Sequence, residues 1–449
     1  MKTGEESSSP QSPRDLATPQ SPRDLATPQS PRDLATRAYS PGQSGSTTAQ
    51  LRPSALGWIT RPLEQLDIGA LPVILGLVLI ALIFQLANPN FLSPVNLTNL
   101  MIQIAATGTL AVGIVLVLLI GEIDLSIGAV SGFCASIMAV LSVKNGWPAL
   151  AAVGAGILAG ALIGLVNGFW FAKLHVPSFI VTLAGYLGYQ GALLYTLGST
   201  GTVNLSDPLI VGIANTRLPV WLGWLLGVVF VGAYALSIVQ ERRQRQKIGV
   251  ATQSLGGSLG RLVLMAIGIF VAIGIMNVNR SPAGFNPIQG VPAAAVLLVG
   301  FVVLFAFVTE RTRFGRYIFA VGGNAEAARR AGINVDRVRI AVFVLCSTLA
   351  ASGGILAGSR LLAVNQSSGG GDVLLNAIAA AVIGGTSLFG GRGSTWSALL
   401  GALVIGSISN GMDLLALSSS IKFMVTGIVL LLAVTLDAYA RSRREAAGR

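Results

Sequence analysis

Residues able to do chemistry are few in this sequence, and they are scattered. There is one histidine, His175, so neither a histidine metal site nor a serine–histidine triad can be assembled. It reads as a structural histidine at the edge of an apolar segment. The two cysteines, Cys134 and Cys346, each lie inside an apolar run and read as small buried hydrophobes, not as a disulfide or a metal pair. Two acids, Glu122 and Asp124, stand close together in GEIDLS at 121–126, between two apolar runs. In such a setting carboxylates either face a cavity or a partner, or serve as capping and interface groups at the edge of the apolar layer. The glycine-rich GGTSLFGGRGS at 384–394 has only a superficial likeness to a phosphate loop. Gly391 and Arg392 stand where such a loop needs Gly-Lys-Ser/Thr, and no strand is read before it. These glycines instead permit a sharp turn or a broken helix.

The most informative polar segment is TRFGRYIFAVGGNAEAARRAGINVDR, residues 312–337. Gly322 and Gly323 break the chain, Asn324 can cap a helix, and Glu326 sits in its first turn, where an acid suits the dipole. Ala325, Ala327, Ala328 and Ala331 predict a short helix of little bulk, which Gly332 ends. With Arg329 and Arg330 beside it, this helix is shaped to dock in a groove on another protein. The plainer alternative is a solvated helical loop.

These residues must be positioned by mostly apolar elements. Of 449 residues, 53% are hydrophobic and 11% charged, with a mean hydropathy of +0.72. Soluble proteins average roughly a quarter charged residues, so a water-soluble enzyme is excluded. Apolar runs long enough to cross a membrane as helices fall near 70–87, 100–120, 125–143, 148–170, 177–197, 218–239, 262–278, 292–309, 339–361, 374–390, 395–415 and 421–439. The expected fold is therefore all-α, a polytopic transmembrane helical bundle of about 12 spans (10–14). Breaks or re-entrant segments are possible at 121–128 and 384–394. Gly156, Gly160, Gly164 and Gly168 make a smooth ridge on one helix, suited to close packing. Residues 1–60, which repeat SPRDLATPQ, read as a disordered low-complexity tail without a signal peptide. The net charge is +12, and eleven of those charges sit in 240–261, 310–339 and 441–449. The positive-inside rule makes all three cytoplasmic, together with both termini, and the basic balance describes orientation and not nucleic-acid binding.

Glu326-Ala327-Ala328, three residues, then Gly332 resembles the EAA-type coupling loop of ABC importer permeases. The whole of 312–337 resembles the monosaccharide branch of the branched-chain amino acid and sugar permease family; the Ile-x-Leu-Pro ending of the EAA pattern is absent, as it is in that branch. GEIDLSIGAV at 121–130, LLNAIAAAVIGGTSLFGGRGS at 374–394, Asn410-Gly411-Met412 and LLLAVTLD at 430–437 match the same family, so the resemblance covers roughly 70–440. The extra apolar spans between 218 and 309 make the chain most similar to the xylose-transport branch.

The resemblance implies an ABC importer permease fold over 70–440, with a cytoplasmic coupling loop at 310–338 and a basic tail at 441–449, in a bacterial plasma membrane. It implies a transport subunit and not an enzyme, with no cofactor on this chain. ATP and magnesium would lie on a separate ABC ATPase subunit. The other partners would be an extracytoplasmic sugar-binding protein and a second permease copy, and the substrate a monosaccharide: xylose first, with ribose or galactose as alternatives. ATPase coupling falls to Gly323, Asn324, Glu326, Ala327, Ala328, Arg329, Arg330 and Gly332. Candidate pathway residues are Glu122, Asp124, Asn167, Asn376, Asn410 and Asp413; for Asn167, Asn376, Asn410 and Asp413 the alternative is an interhelical hydrogen bond. A secondary sugar transporter would instead place a basic loop between spans two and three, where this chain has GEIDLS.

Overall fold

The computed structural model describes residues 71–247, 255–282 and 285–446. The tail expected at 1–60, with its repeats, lies outside the described residues, as does the end of the basic tail at 447–449. Eleven of the twelve apolar runs fall on one helix each; the run expected near 374–390 is helical only to Ile383, where the chain turns at Gly384 and Gly385. In chain order the helices are α1 (Leu71–Ala87), α2 (Pro94–Leu119), α3 (Ile127–Val143), α4 (Ala149–Lys173), α5 (Ser178–Leu197), α6 (Pro208–Asn215), α7 (Val220–Lys247), α8 (Leu255–Asn277), α9 (Ala293–Arg311), α10 (Arg313–Gly323), α11 (Ala325–Arg330), α12 (Val335–Leu361), α13 (Gly371–Ile383), α14 (Thr395–Leu414) and α15 (Ser419–Ala446). Among the described residues seven helices, α2, α4, α7, α8, α9, α12 and α14, are long and apolar enough to cross a membrane, and four apolar segments are shorter.

The packing inverts what a water-soluble helix does. On α4 the leucines face outward, Leu158 being 59% exposed and Leu162 54%. The glycines face inward: a Cβ on Gly160 or Gly164 would meet the backbone of Ser347 or Phe343 on α12. That smooth ridge lets α4 and α12 approach closely where lipid, not water, surrounds the rest. At the centre lies α2, started by Ser93, whose hydroxyl accepts from the Asn96 N–H, and by Pro94 in the first turn. From Leu110 to Leu119 every residue of α2 is buried.

The helix ends divide into two groups. Basic residues at the end of α7, the start of α8 and the end of α9 surround one cavity. At the opposite end, β1 (Thr202–Asn204) pairs antiparallel with β2 (Ala363–Asn365), and the Leu205 N–H donates to the Leu362 carbonyl. Nearby, the Leu218 N–H donates to Val291 and the Ala293 N–H to Thr216, joining the 198–217 and 279–292 connections. α12 runs from the first group to the second, about 40 Å for its 27 residues.

Candidate functional site

The polar segment 312–337 begins as soon as α9 ends. Thr312 caps α10, its hydroxyl accepting from the Gly315 N–H at 3.2 Å, and α10 buries Gly315, Ile318 and Val321. Asn324 then caps α11, its Oδ1 accepting from the Ala327 N–H at 2.9 Å. Gly332 adopts φ +83° and ends the segment, with its N–H on Arg329 and the Ile333 N–H on Ala328. Ala328 is buried and holds the six-residue helix down. Glu326, Ala327, Arg329 and Arg330 are exposed, as are Gly323, Asn324 and Gly332. Glu326 meets Arg329 at 3.3 Å and Arg330 at 3.2 Å, which aligns the charges along one exposed face.

Three segments far apart in sequence converge beside this helix. The Gly391 N–H donates to the Leu119 carbonyl at 3.0 Å. A Cβ on Gly390 would lie 2.8 Å from the Gly121 Cα and 2.8 Å from the Gly322 carbonyl, and one on Gly322 would strike Leu119. Gly390 also has φ +84°, so a side chain is opposed by both space and backbone. The 384–394 stretch is thus a turn between α13 and α14, packed backbone to backbone against 119–121 and 322.

The acid pair belongs to the same end. Glu122 accepts from the Ser178 hydroxyl at 2.7 Å and pairs with Arg339 at 3.4 Å, and Arg339 lies 4.7 Å over the Phe171 ring. Asp124 is fully buried and accepts from the Ser126 N–H at 2.8 Å and hydroxyl at 2.6 Å, with the Cys346 thiol at 3.6 Å. The network continues outward: Asn167 donates to the Ser126 hydroxyl at 3.2 Å, and the Tyr189 hydroxyl donates to Asn167 at 2.8 Å. A buried carboxyl group held by these donors is a fixed fitting among α3, α4, α5 and α12. Lys173 to Asp336 at 2.9 Å adds a second tie between α4 and α12. His175 follows α4 at φ +57°, exposed, with its ring on the Lys173 carbonyl.

The other candidates lie toward the far end. Asn410 accepts from the Asn96 side chain at 2.7 Å, an interhelical bond between α2 and α14. Asn376 and Asp413 instead line a cavity of about 620 Å³ among α2, α3, α12, α13, α14 and α15. Asp413 pairs with Lys422 there. The Asn376 Oδ1 is buried without a hydrogen-bond partner among the described residues. Gln103, Thr107, Ser131, Arg360, Ser367 and Asp372 add polar groups to the wall, and Phe423 and Leu430 add apolar surface. Hydroxyl-bearing, weakly apolar solutes fit such a mixed wall. Of the six candidate pathway residues, only Asn376 and Asp413 therefore reach the cavity; Glu122, Asp124, Asn167 and Asn410 are engaged elsewhere. Sequence reading missed Arg360, Asp372 and Lys422, charged residues at the ends of apolar runs that line the cavity together.

Comparison with known proteins gives a single answer. A family model described as branched-chain amino acid transport system, permease component, matches residues 96–434. The xylose transport system permease protein of Escherichia coli is 37% identical over 382 residues, 85% of this chain and 94% of its own length. Its counterpart in Haemophilus influenzae is 35% identical over 376 residues, covering 84% and 97%. The ribose import permease protein of Escherichia coli is 35% identical over 366 residues, covering 80% and 91%. No solved structure matches the chain.

Proposed function

The chain belongs to the branched-chain amino acid transport permease family, and on that premise we propose that it is the membrane-spanning subunit of an ATP-driven importer of a pentose, xylose before ribose. The observation that carries this reading is the two-ended layout joined by α12. A polar cavity with an unpartnered acceptor, the Asn376 Oδ1, lies at one end. A short exposed helix at the other end is seated against a rigid glycine junction.

A separate ABC ATPase, holding ATP and magnesium, docks on Glu326, Ala327, Arg329 and Arg330. Gly323, Asn324 and Gly332 fix the ends of that helix, and Ala328 anchors it. Closure of the ATPase pushes the helix. The glycine junction passes the displacement to α2, α13 and α14 because no compressible side chains intervene. Glu122–Arg339 and Lys173–Asp336 pass it to α12. An extracytoplasmic binding protein delivers the sugar to the cavity end, and a second copy of this chain completes the pathway. In this reading about twelve helices cross the membrane, and the basic ends and both termini are cytoplasmic.

The test is uptake of labelled xylose by vesicles holding permease, ATPase and binding protein. Accumulation should require ATP and vanish with an ATPase unable to hydrolyse it. Uptake that persists with the dead ATPase, or that follows a proton gradient alone, overturns the reading.

A further inference from the structure

The segment 312–337 exposes more than α11, and its charges are one-sided. It holds Arg313, Arg316, Arg329, Arg330 and Arg337 against Glu326 and Asp336. Glu326 is taken up by Arg329 and Arg330, and Asp336 by Lys173. Arg313, Arg316 and Arg337 are exposed, and among the described residues no acid comes within ion-pair distance of any of them. Helix stability does not explain where they stand. Arg313 and Arg337 fall in the first turns of α10 and α12, behind the caps Thr312 and Asn334, where the helix dipole disfavours a cation. α11 does the opposite and puts Glu326 in its first turn. Orientation in the membrane asks for cations on one side, but not for cations at helix starts.

The build of α10 narrows the kind of partner these cations fit. The helix is amphipathic: Gly315, Ile318 and Val321 are buried, while Arg313, Arg316 and Tyr317 are exposed on the other side. Its apolar face is already used by the chain itself, since a Cβ on Gly315 would lie 2.0 Å from the Thr309 carbonyl. A helix that settles on a bilayer keeps its apolar face for the acyl layer, and α10 has none left. The outward face therefore suits a protein surface bearing carboxylates. That face continues into exposed α11, because α10, α11 and α12 pack on one another. We propose that the ATPase docks on a platform wider than α11, with acidic side chains of the ATPase meeting Arg313, Arg316 and Arg337 around it. Charges at the rim of an interface steer encounter and fix register, while the contacts at its centre set how long the complex lasts. Arg313, Arg316 and Arg337 thus set the speed and orientation of docking, and α11 holds the docked partner. The proposal rests on the importer reading and adds to it the chemistry of the partner's surface.

The test follows binding of the ABC ATPase encoded with this chain to the full-length permease in nanodiscs of phosphatidylcholine and, separately, of phosphatidylglycerol, by surface plasmon resonance. At about 50 mM salt, Arg313→Glu/Arg316→Glu should slow association at least about tenfold in both lipids, with dissociation changed less than about twofold. At about 500 mM salt the difference in association should shrink to less than about threefold. The thermal midpoint should not fall, because an acid suits the first turn of α10. Arg243→Glu/Lys247→Glu reverses the same charge at exposed positions on the end of α7 and should slow association less than about threefold. Arg313→Lys/Arg316→Lys should keep the wild-type rate, and a zero-length carbodiimide should then join these lysines to Asp or Glu of the ATPase. Equal slowing by the two charge reversals, slowing that ignores salt, slowing confined to phosphatidylglycerol, or no cross-link to an ATPase carboxylate overturns the proposal. A wild-type chain that binds no ATPase overturns the importer reading and this one with it. A wild type and an Arg313→Glu/Arg316→Glu variant that bind alike overturn this one alone.

Discussion

The two ends of the molecule are built from opposite materials. At the coupling end backbone meets backbone: Gly121, Gly322 and Gly390 leave no space for a side chain, and the buried carboxylate of Asp124 has its donors in place. At the cavity end side chains stand apart, and the Asn376 Oδ1 has no hydrogen-bond partner among the described residues. The first arrangement resists deformation because close-packed atoms have nowhere to go. The second sets polar side chains, among them Arg360, Asp372 and Lys422, along the wall of a cavity. In the proposed reading, rigidity is placed where displacement has to be received, and a polar wall where a solute has to be received.

Substitutions can break or sharpen this contrast. The largest effect is expected for Gly390→Val, which places a branched side chain at φ +84° against Gly121 and Gly322. It should destabilise the chain by about 3 kcal/mol or more, read as a lower thermal midpoint in detergent and loss from membranes. Normal stability would break the comparison outright. Next, Asp124→Ala strands the Ser126 N–H in a buried site and should lower stability by about 2–3 kcal/mol, with the KM for sugar unchanged in the protein that folds. A raised KM would move Asp124 to the other side of the contrast. The pair Glu326→Ala and Gly332→Ala should leave membrane insertion intact while lowering ATP-driven uptake at least about tenfold, with ATPase binding lost in pull-down. Normal transport by this variant would refute the coupling assignment. Asn376→Ala removes one hydrogen bond at the cavity and should raise KM about 3- to 10-fold without a change in thermal midpoint. The smallest effect has the opposite sign: His175→Gly relieves a left-handed backbone at φ +57° and should stabilise by less than about 1 kcal/mol.

Legibility in the sequence followed the range of the interactions concerned. The helices were legible because a run of some twenty apolar residues has one economical conformation in a nonpolar layer. The α11 helix was legible because its cap, Asn324, and its stop, Gly332, lie within nine residues of each other. The glycine ridge of α4 was legible as packing, though its partner was not. α10 is legible only as part of a polar loop, because its apolar face over Ile318 and Val321 is short. The convergence of Gly121, Gly322 and Gly390 was hidden, since each glycine explains itself locally as a turn. The division of the polar candidates was hidden for a related reason. Asn410 and Asn376 have the same type and the same apolar setting, and only the neighbour across the interface separates a bonded asparagine from one that faces a cavity.

The size of the far-end cavity has a kinetic consequence. One molecule shut into a space of about 620 Å³ by closure of the surrounding helices would be at an effective concentration of about 3 M. A wall with a dissociation constant as poor as about 100 mM would still be occupied more than nine-tenths of the time once a sugar had been handed over. Selectivity can then reside in whatever does the handing over, and the wall itself needs only enough affinity to hold the sugar through one cycle. Weak retention also means fast release, so turnover would be limited by the movement of helices and not by the escape of the solute.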